Sequence, residues 1–142
     1  MEPRISIITL GVRDLEKSYQ FYKNLGFPTT RKPESGIVFF QTSGVCLALY
    51  PIEELAKDVS PDMSLARSQF SGITLAHNTK RKDEVDEILQ LAEKVGGVIE
   101  KQAQDVFWGG YSGYFSDPDG YLWEVAYADC WKFNPDGSLV IE

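Results

Sequence analysis

The sequence contains few of the side chains from which disulfide frameworks and metal centres are built. It has two cysteines, Cys46 and Cys130, and a single histidine, His77. Two cysteines cannot form a disulfide framework, and their spacing does not match a paired zinc or redox motif. An iron site made of two histidines and one carboxylate needs a second histidine, and a homodimer with equivalent sites has the same shortage. The composition therefore argues against an extradiol-type dioxygenase centre and predicts free thiols in a reducing compartment.

Basic residues and long apolar runs are also scarce. The chain has 14 Lys and Arg against 21 Asp and Glu, which gives a formal net charge of −7 at pH 7. Such a charge disfavours nucleic acids and anionic membranes as partners, and it would suit a cationic ligand. No apolar run approaches the length of a membrane span, and the N-terminus does not resemble a signal peptide. We therefore expect a cytoplasmic protein that binds neither nucleic acid nor membrane.

The first half of the chain has the pattern of a strand, a helix and three further strands. Apolar, β-branched runs predict strands at 5–10, 27–31, 37–41 and 45–50. Asp14 fits the N-cap of a helix whose apolar stripe ends at Gly26, a typical C-terminal glycine. The polar stretch 51–69 is interpreted as a linker, with a helical turn or two at 52–57.

The second half repeats this order. Strands are predicted at 72–77, 98–104, 111–116 and 121–127. Asp83 is expected to cap a second helix, which Gly96 ends. The DPDG run at 117–120 is typical of a type I turn. Because the two helices align residue by residue, the chain is interpreted as two copies of one unit, and pairing the copies would enclose a cavity.

Two stretches of the sequence resemble the vicinal-oxygen-chelate superfamily, which includes glyoxalases, bleomycin-resistance proteins and dioxygenases. The first is GVRDLEKS at 11–18 with FY at 21–22 and LGF at 25–27, which is similar to the family's first helix. The second is WGGYSGYF at 108–115 followed by DPDGYLWEV at 117–125, which is similar to its closing hairpin. The resemblance implies an α+β fold in which two βαβββ modules form an open barrel around a cavity.

The predicted organisation is a single domain over 1–142. Module one covers about 4–50, a linker 51–69, module two about 70–128 and a tail 129–142. The resemblance also implies a homodimer, whose modules pair either within or between chains.

Many members of the superfamily hold a divalent metal with one residue from each of four strands. The resemblance implies that these positions fall on Ile7, Ala48, Gly72 and Glu124. Catalytic metals need about three protein ligands drawn from His, Asp and Glu. Since only Glu124 can serve, and the predicted strands carry almost no other acids, we expect no metal and no cofactor.

Strand alternation predicts the lining of the cavity. The candidate substrate-binding residues are Ile7, Thr9, Ala48, Tyr50, Thr74, Trp108, Tyr111, Tyr114 and Glu124. The three aromatic side chains of the second module would form a rim or a stacking surface, or else fill the core. His77 is predicted to face away from the cavity and is interpreted as a structural histidine.

Glu124 is the candidate catalytic residue and the main polar group of the predicted cavity. A carboxylate in apolar surroundings is costly unless it is paired. It could bind a ligand amine, accept a hydrogen bond from a hydroxyl or act as a general base, and it could also be a remnant bonded to a neighbouring Tyr, Thr or Ser.

The sequence supports two hypotheses about function. The first is a metal-free protein, like the bleomycin-resistance branch, that binds a small apolar, aromatic or amine-bearing molecule. The second is a glyoxalase-like lyase or isomerase, or a dioxygenase-related enzyme, that uses Glu124 alone or with an atypical metal site. An interaction module is neither supported nor excluded by the sequence.

Overall fold

A computed structural model of the chain describes residue 1 and residues 5–65 and 70–140. The chain divides into two units, Met1–Ser71 and Gly72–Glu142. The last part of the predicted linker, 66–69, and the end of the predicted tail, 141–142, lie outside the described residues. No helix in the ranges described is long and apolar enough to cross a bilayer.

Unit one contains a three-stranded sheet and two helices. Its elements are β1 (Ile7–Val12), α1 (Leu15–Leu25), β2 (Val38–Gln41), β3 (Cys46–Pro51) and α2 (Ile52–Val59). The strand order is β1-β3-β2, with β1 parallel and β2 antiparallel to the central β3. The helical turns expected at 52–57 are confirmed as α2.

Helix α1 begins and ends where the sequence predicts. The Asp14 carboxylate accepts a hydrogen bond from the Lys17 backbone N–H at 3.0 Å, as an N-cap does. Gly26 takes the left-handed conformation, with φ of 109°, that closes a helix C-terminus. Tyr19 and Tyr22 are buried, with ring centroids 6.4 Å and 5.9 Å from that of Phe40 on β2. The apolar stripe of α1 thus covers one face of the sheet.

The strand expected at 27–31 does not form. Pro28 has no N–H to give to a ladder, although its carbonyl accepts a bond from the Gln41 N–H at 3.2 Å. The Thr29 hydroxyl donates to the Phe39 carbonyl at 2.6 Å, so a side chain satisfies an acceptor that a paired strand would use. The segment therefore runs beside β2 as irregular chain and leads into a 3-10 turn at Pro33–Ser35.

Unit two is a βαβββ module followed by a short hairpin. Its elements are β4 (Leu75–Asn78), α3 (Asp83–Lys94), β5 (Val98–Asp105), β6 (Tyr111–Ser116), β7 (Leu122–Tyr127), β8 (Lys132–Phe133) and β9 (Leu139–Val140). The main sheet has the order β4-β7-β6-β5, with β4 parallel to β7 and the other pairs antiparallel. The mixed α+β class predicted from the sequence is confirmed.

The start of α3 differs from the expectation. Asp83 is the first helical residue rather than the cap, and its carboxylate accepts a bond from the Arg81 guanidinium at 3.0 Å. Glu84 instead reaches back, and its Oε2 accepts from the backbone N–H groups of Lys80 and Arg81 at 2.9 and 3.0 Å. The N–H groups of Lys80 and Arg81 precede the helix, so Glu84 acts like the first-turn glutamate of a capping box, which reaches back to the chain before the helix. Glu84, rather than Asp83, therefore satisfies backbone N–H donors near the start of α3.

The turn between β6 and β7 forms as predicted. The Gly120 N–H donates to the Asp117 carbonyl at 2.9 Å. The Asp117 side chain accepts from the N–H groups of Asp119 and Tyr121, both at 2.9 Å. Gly120 has a φ of 86°, a conformation that glycine adopts without steric cost. This turn fixes the register in which β6 and β7 pair.

Strand β5 is irregular along its length. Its pairing with β6 shifts between Ile99 and Lys101 and again between Lys101 and Gln104. Each shift marks a bulge, where extra residues of one strand face a single residue of its partner. The bulged chain passes very close to Gly113 of β6, since a Cβ there would lie 2.8 Å from the Lys101 carbonyl oxygen.

Candidate functional site

The sheet of unit two has one face against α3 and one face away from it, which we call the far face. Gly113 lies on the α3 face, because a Cβ at this position would approach Leu89 of α3. Phe115, two positions along β6, and its register partner Trp123 on β7 lie on the same face. Both are buried, and their rings stack with centroids 6.1 Å apart. Residues one position along each strand therefore project from the far face, and among them are Tyr114 and Glu124.

Glu124 and Tyr114 form a polar pair on the far face. They are direct partners in the register of β7 and β6, and the Tyr114 hydroxyl donates to the Glu124 carboxylate. The pKa of Tyr114 is raised because its surroundings desolvate the phenol, and the charge and hydrogen bond of Glu124 add to the effect. Both residues are half-buried. The pair thus keeps a neutral phenol and an oxygen acceptor next to each other.

The neighbours of this pair are small or apolar. Ala76 pairs with Glu124 from β4 and is exposed. Leu122 is half-buried, and Ala126 is buried. Thr74 is exposed and lies just before β4, because the strand begins at Leu75 rather than at 72 as expected. On the β4 and β7 side of the pair, the surface around Glu124 therefore offers mainly van der Waals contacts.

Tyr111 does not share this surface. Its hydroxyl donates to the Asp86 carboxylate of α3 at 3.0 and 3.2 Å. The Lys82 ammonium lies 4.6 Å from the centre of its ring. The pKa of Tyr111 is raised, first by desolvation and then by the Asp86 bond. The structure therefore brings Tyr114 together with Glu124 and turns Tyr111 to the α3 face.

Trp108 lies in the loop between β5 and β6. Its ring covers Gly110, where a Cβ would overlap it, and stacks on Trp131 at 5.8 Å. Trp108 is 44% exposed and the preceding Phe107 is fully exposed. The loop thus presents aromatic surface next to the start of β6.

The candidate residues of unit one share one face of their own sheet. Thr9 pairs with Ala48, and Ile7 and Tyr50 lie at alternate positions on the same strands. Ile7 is 49% exposed and Thr9 is exposed, whereas Ala48 is fully buried. Ala48 thus has no surface for a ligand in this structure. Tyr50 is half-buried, near the start of α2.

His77 lies on β4 opposite Val125, on the α3 face. Although the residue as a whole is exposed, atoms around the imidazole desolvate it and lower its pKa, while the Glu84 carboxylate acts in the opposite direction. The predicted orientation away from Glu124 is therefore confirmed.

The positions at which the resemblance implies metal ligands do not offer the donors that a divalent metal needs. Gly72 has no donor side chain and lies in a bend with a φ of 79°, outside β4. Ile7 and Ala48 offer no donor either. Within 5–65 and 70–140, no three His, Cys, Asp or Glu side chains gather into a possible metal site.

Sequence reasoning missed two charged residues beside the pair. Lys101 is the register partner of Tyr114 on β5. Glu100, one residue earlier, accepts a hydrogen bond at 2.6 Å from the Ser116 hydroxyl. The bulges decide which β5 residues face Tyr114, and strict alternation contains no signal for them.

Comparisons with known proteins agree with this fold. The model of the Glyoxalase/Bleomycin resistance protein/Dioxygenase superfamily matches residues 4–125. A glyoxalase-related enzyme from Fulvimarina pelagi is 33% identical, with a TM-score of 0.87, over 98% of this chain and 98% of that chain. A glyoxalase/bleomycin resistance protein/dioxygenase from Nocardioides is 25% identical, with a TM-score of 0.73, over 96% and 91%. A lactoylglutathione lyase from Agrobacterium tumefaciens is 25% identical, with a TM-score of 0.68, over 94% and 100%.

Proposed function

Because the chain belongs to the Glyoxalase/Bleomycin resistance protein/Dioxygenase superfamily, we propose that it binds a small apolar, aromatic or amine-bearing molecule without a catalytic metal. Glu124 is the anchor for the ligand's polar group, and Tyr114 positions the carboxylate. The other residues proposed to contact the ligand are Ile7, Thr9 and Tyr50, which belong to unit one, and Thr74 and Trp108, which belong to unit two. In this proposal the protein is a cytoplasmic homodimer.

The observation that carries the proposal is the bond between the Tyr114 hydroxyl and the Glu124 carboxylate. One donor satisfies only part of the acceptor capacity of a carboxylate, which has about four lone-pair sites. An ammonium group can use the remaining sites, and charge-assisted bonds of this kind are stronger than neutral ones. The small and apolar neighbours would contact the rest of the ligand.

The donor chemistry favours binding without a metal. Catalytic metals use about three protein ligands. A carboxylate with one phenol beside it provides fewer. A metal-dependent reaction at Glu124 would need donors that this group of side chains does not provide.

A thermal-shift screen of aromatic amines tests the proposal. A ligand at 100 times its dissociation constant stabilises the folded protein by about 2.7 kcal/mol. We expect hits whose affinity falls in Glu124→Gln. Glu93→Gln, at an exposed position of α3, is the matched control and should bind like the unchanged protein. Hits that bind Glu124→Gln equally well would refute the anchoring role.

A second candidate function is a lyase or isomerase of the glyoxalase type. It is favoured by the 33% identity to a glyoxalase-related enzyme and the 25% identity to a lactoylglutathione lyase. In this alternative Glu124 is a general base that abstracts a proton next to a carbonyl group. The Tyr114 hydroxyl, which already donates to Glu124, would orient the base.

Metal analysis separates the two candidates. The protein is purified without a histidine tag, and its nickel, zinc, iron and manganese are measured. We expect substoichiometric amounts that do not change in Glu124→Ala. Near-stoichiometric metal that is lost in Glu124→Ala would overturn the metal-free proposal in favour of the enzyme.

A further inference from the structure

The polar pair on the far face is part of a longer row that crosses the whole sheet of unit two. Ala76 on β4 pairs with Glu124, Glu124 pairs with Tyr114, and Tyr114 pairs with Lys101 on β5. Direct partners on neighbouring strands project from the same face. The row therefore carries a methyl group, a carboxylate, a phenol and an ammonium group in that order.

The bulge in β5 brings the ammonium group into this row. Because the register shifts between Ile99 and Lys101, Lys101 rather than Glu100 is the register partner of Tyr114, and Glu100 is the extra residue of the bulge. The Glu100 carboxylate accepts a hydrogen bond from the Ser116 hydroxyl at 2.6 Å. This carboxylate therefore already has a partner on the sheet.

The Lys101 ammonium has no partner within the part of the chain that the structure describes. Lys101 is exposed, and no ion pair or hydrogen bond of its side chain occurs among those residues. Lys82, in the same unit, is instead paired with Asp105 at 2.8 Å. Lys101 is thus available to an anionic group that comes close to Tyr114.

The two charges of the row are separated by a short and fixed span. Neighbouring strands lie about 4.8 Å apart, so the backbones of Glu124 and Lys101 are about 10 Å apart with Tyr114 between them. A molecule on this row meets a negative charge at one end, an aromatic ring in the middle and a positive charge at the other end.

We propose that the ligand of this site is a small zwitterion, with an amine at the Glu124 end, a carboxylate or similar acidic group at the Lys101 end, and an apolar or aromatic body over Tyr114. This inference rests on the proposed binding function and adds a specificity residue, Lys101. The net charge of −7 disfavours anions in general, so a local ammonium group decides whether an acidic group is accepted.

Three small probes with the same ring test the inference in the full chain. They are 4-(aminomethyl)phenylacetate, which has both groups, 4-methylbenzylamine, which has the amine alone, and 4-methylphenylacetate, which has the acid alone. Dissociation constants are measured by NMR titration. Exposed ion pairs contribute about 0.2–1 kcal/mol, so we expect the zwitterion to bind up to about fivefold tighter than the amine.

Variants test whether Lys101 causes the difference in affinity between the zwitterion and the amine. Lys101→Gln should abolish the advantage of the zwitterion over the amine, and Lys101→Arg should preserve it. Glu124→Gln should weaken both amine-bearing probes. Lys94→Gln, exposed near the end of α3, is the control and should change nothing. Thermal melting of each variant verifies that it is folded.

The possible outcomes separate the two proposals. If the amine binds through Glu124 and the zwitterion gains nothing, the zwitterion inference is wrong and the proposed function stands. If the advantage of the zwitterion persists in Lys101→Gln, Lys101 is not the specificity residue and the inference also fails. If neither amine-bearing probe binds in a manner that depends on Glu124, the anchoring role fails, and both proposals fall with it.

Discussion

At the scale of single residues, His77 gives a direct measure of its environment because it is the chain's one histidine. Its pKa lies below the usual value for a histidine, which is about 6.5, mainly because burial desolvates the imidazole. The unfolded chain therefore binds a proton more readily than the folded chain in the window below about 6.5. The contribution of His77 to stability is fully present above this window and is lost as the pH falls through it.

An NMR titration of the His77 ring protons measures this shift. We expect a pKa below the usual value of about 6.5, and a further decrease in Glu84→Gln, since the Glu84 carboxylate raises the pKa. Glu87→Gln, on the same helix, is the matched control and should leave the titration unchanged. A His77 pKa at or above the usual value for histidine would contradict the desolvated environment.

Gly113 is required for a close approach between two strands. A Cβ at this position would lie 2.7 Å from Leu89 Cδ1, 2.8 Å from the Lys101 carbonyl oxygen and 2.9 Å from the Ala103 nitrogen. We expect Gly113→Ala to lower the free energy of unfolding by about 1–3 kcal/mol, a typical cost of overpacking. Urea denaturation measures the loss.

The Leu89→Ala background separates the three contacts. It relieves the side-chain contact and leaves the two backbone contacts in place. Gly113→Ala should therefore remain destabilising in that background. If its cost disappears there, the backbone of β5 is not the obstacle.

Residue-scale prediction worked where strand alternation was sufficient. Alternation predicts that Glu124 and Ala76 share a face, and the register confirms it. Tyr111 was predicted to share a surface with Tyr114, but the two lie three positions apart on one strand, and the Tyr111 hydroxyl bonds to Asp86 on the α3 face. Which of the candidate residues contact a ligand stays a prediction.

At the scale of elements, the two long helices start in different ways, and this difference can be measured. Asp14 accepts a bond from a backbone N–H of α1, whereas Asp83 is bonded to the Arg81 side chain at an exposed site. Asp14→Ala should cost about 1 kcal/mol of stability, as loss of an N-cap does. Asp83→Ala should cost less. Equal shifts of the urea midpoint in the two variants would contradict this assignment.

Helices were easier to predict than strands because their signals are local. The cap, the apolar stripe and the terminal glycine of α1 lie within one short segment. The segment 27–31 has β-branched residues, but Pro28 lacks an N–H donor, and the Thr29 hydroxyl bonds to the Phe39 carbonyl in place of a backbone N–H. The bulges of β5 depend on contacts with β6 and α3 that are distant in sequence, so no local pattern reveals them.

At the scale of the whole molecule, the excess of acidic residues should affect how charged ligands bind. With a formal net charge of −7, the protein attracts cations over a distance that salt shortens from about 10 Å at 0.1 M to about 3 Å at 1 M. The affinity for 4-methylbenzylamine should therefore fall as salt increases. The neutral analogue 4-methylbenzyl alcohol is the control, and its affinity should not fall. Equal salt dependence of the two compounds would show that the net charge does not contribute.

The repeated pattern of the sequence identified the chain's overall organisation better than its details. Unit two has the complete βαβββ order, whereas unit one lacks a strand between its helix and β2. The family match over 4–125 agrees with the resemblance in both halves. The single domain over 1–142, the homodimer and the cytoplasmic location stay predictions.

The two shifts in the pairing of β5 have a consequence for the behaviour of the protein at high concentration. In its own sheet β5 is an outer strand, and a straight outer strand is a template on which another chain can add. Bulges twist and interrupt the row of N–H and C=O groups that an incoming strand would need. The irregularity that carries Lys101 therefore also protects this edge against aggregation.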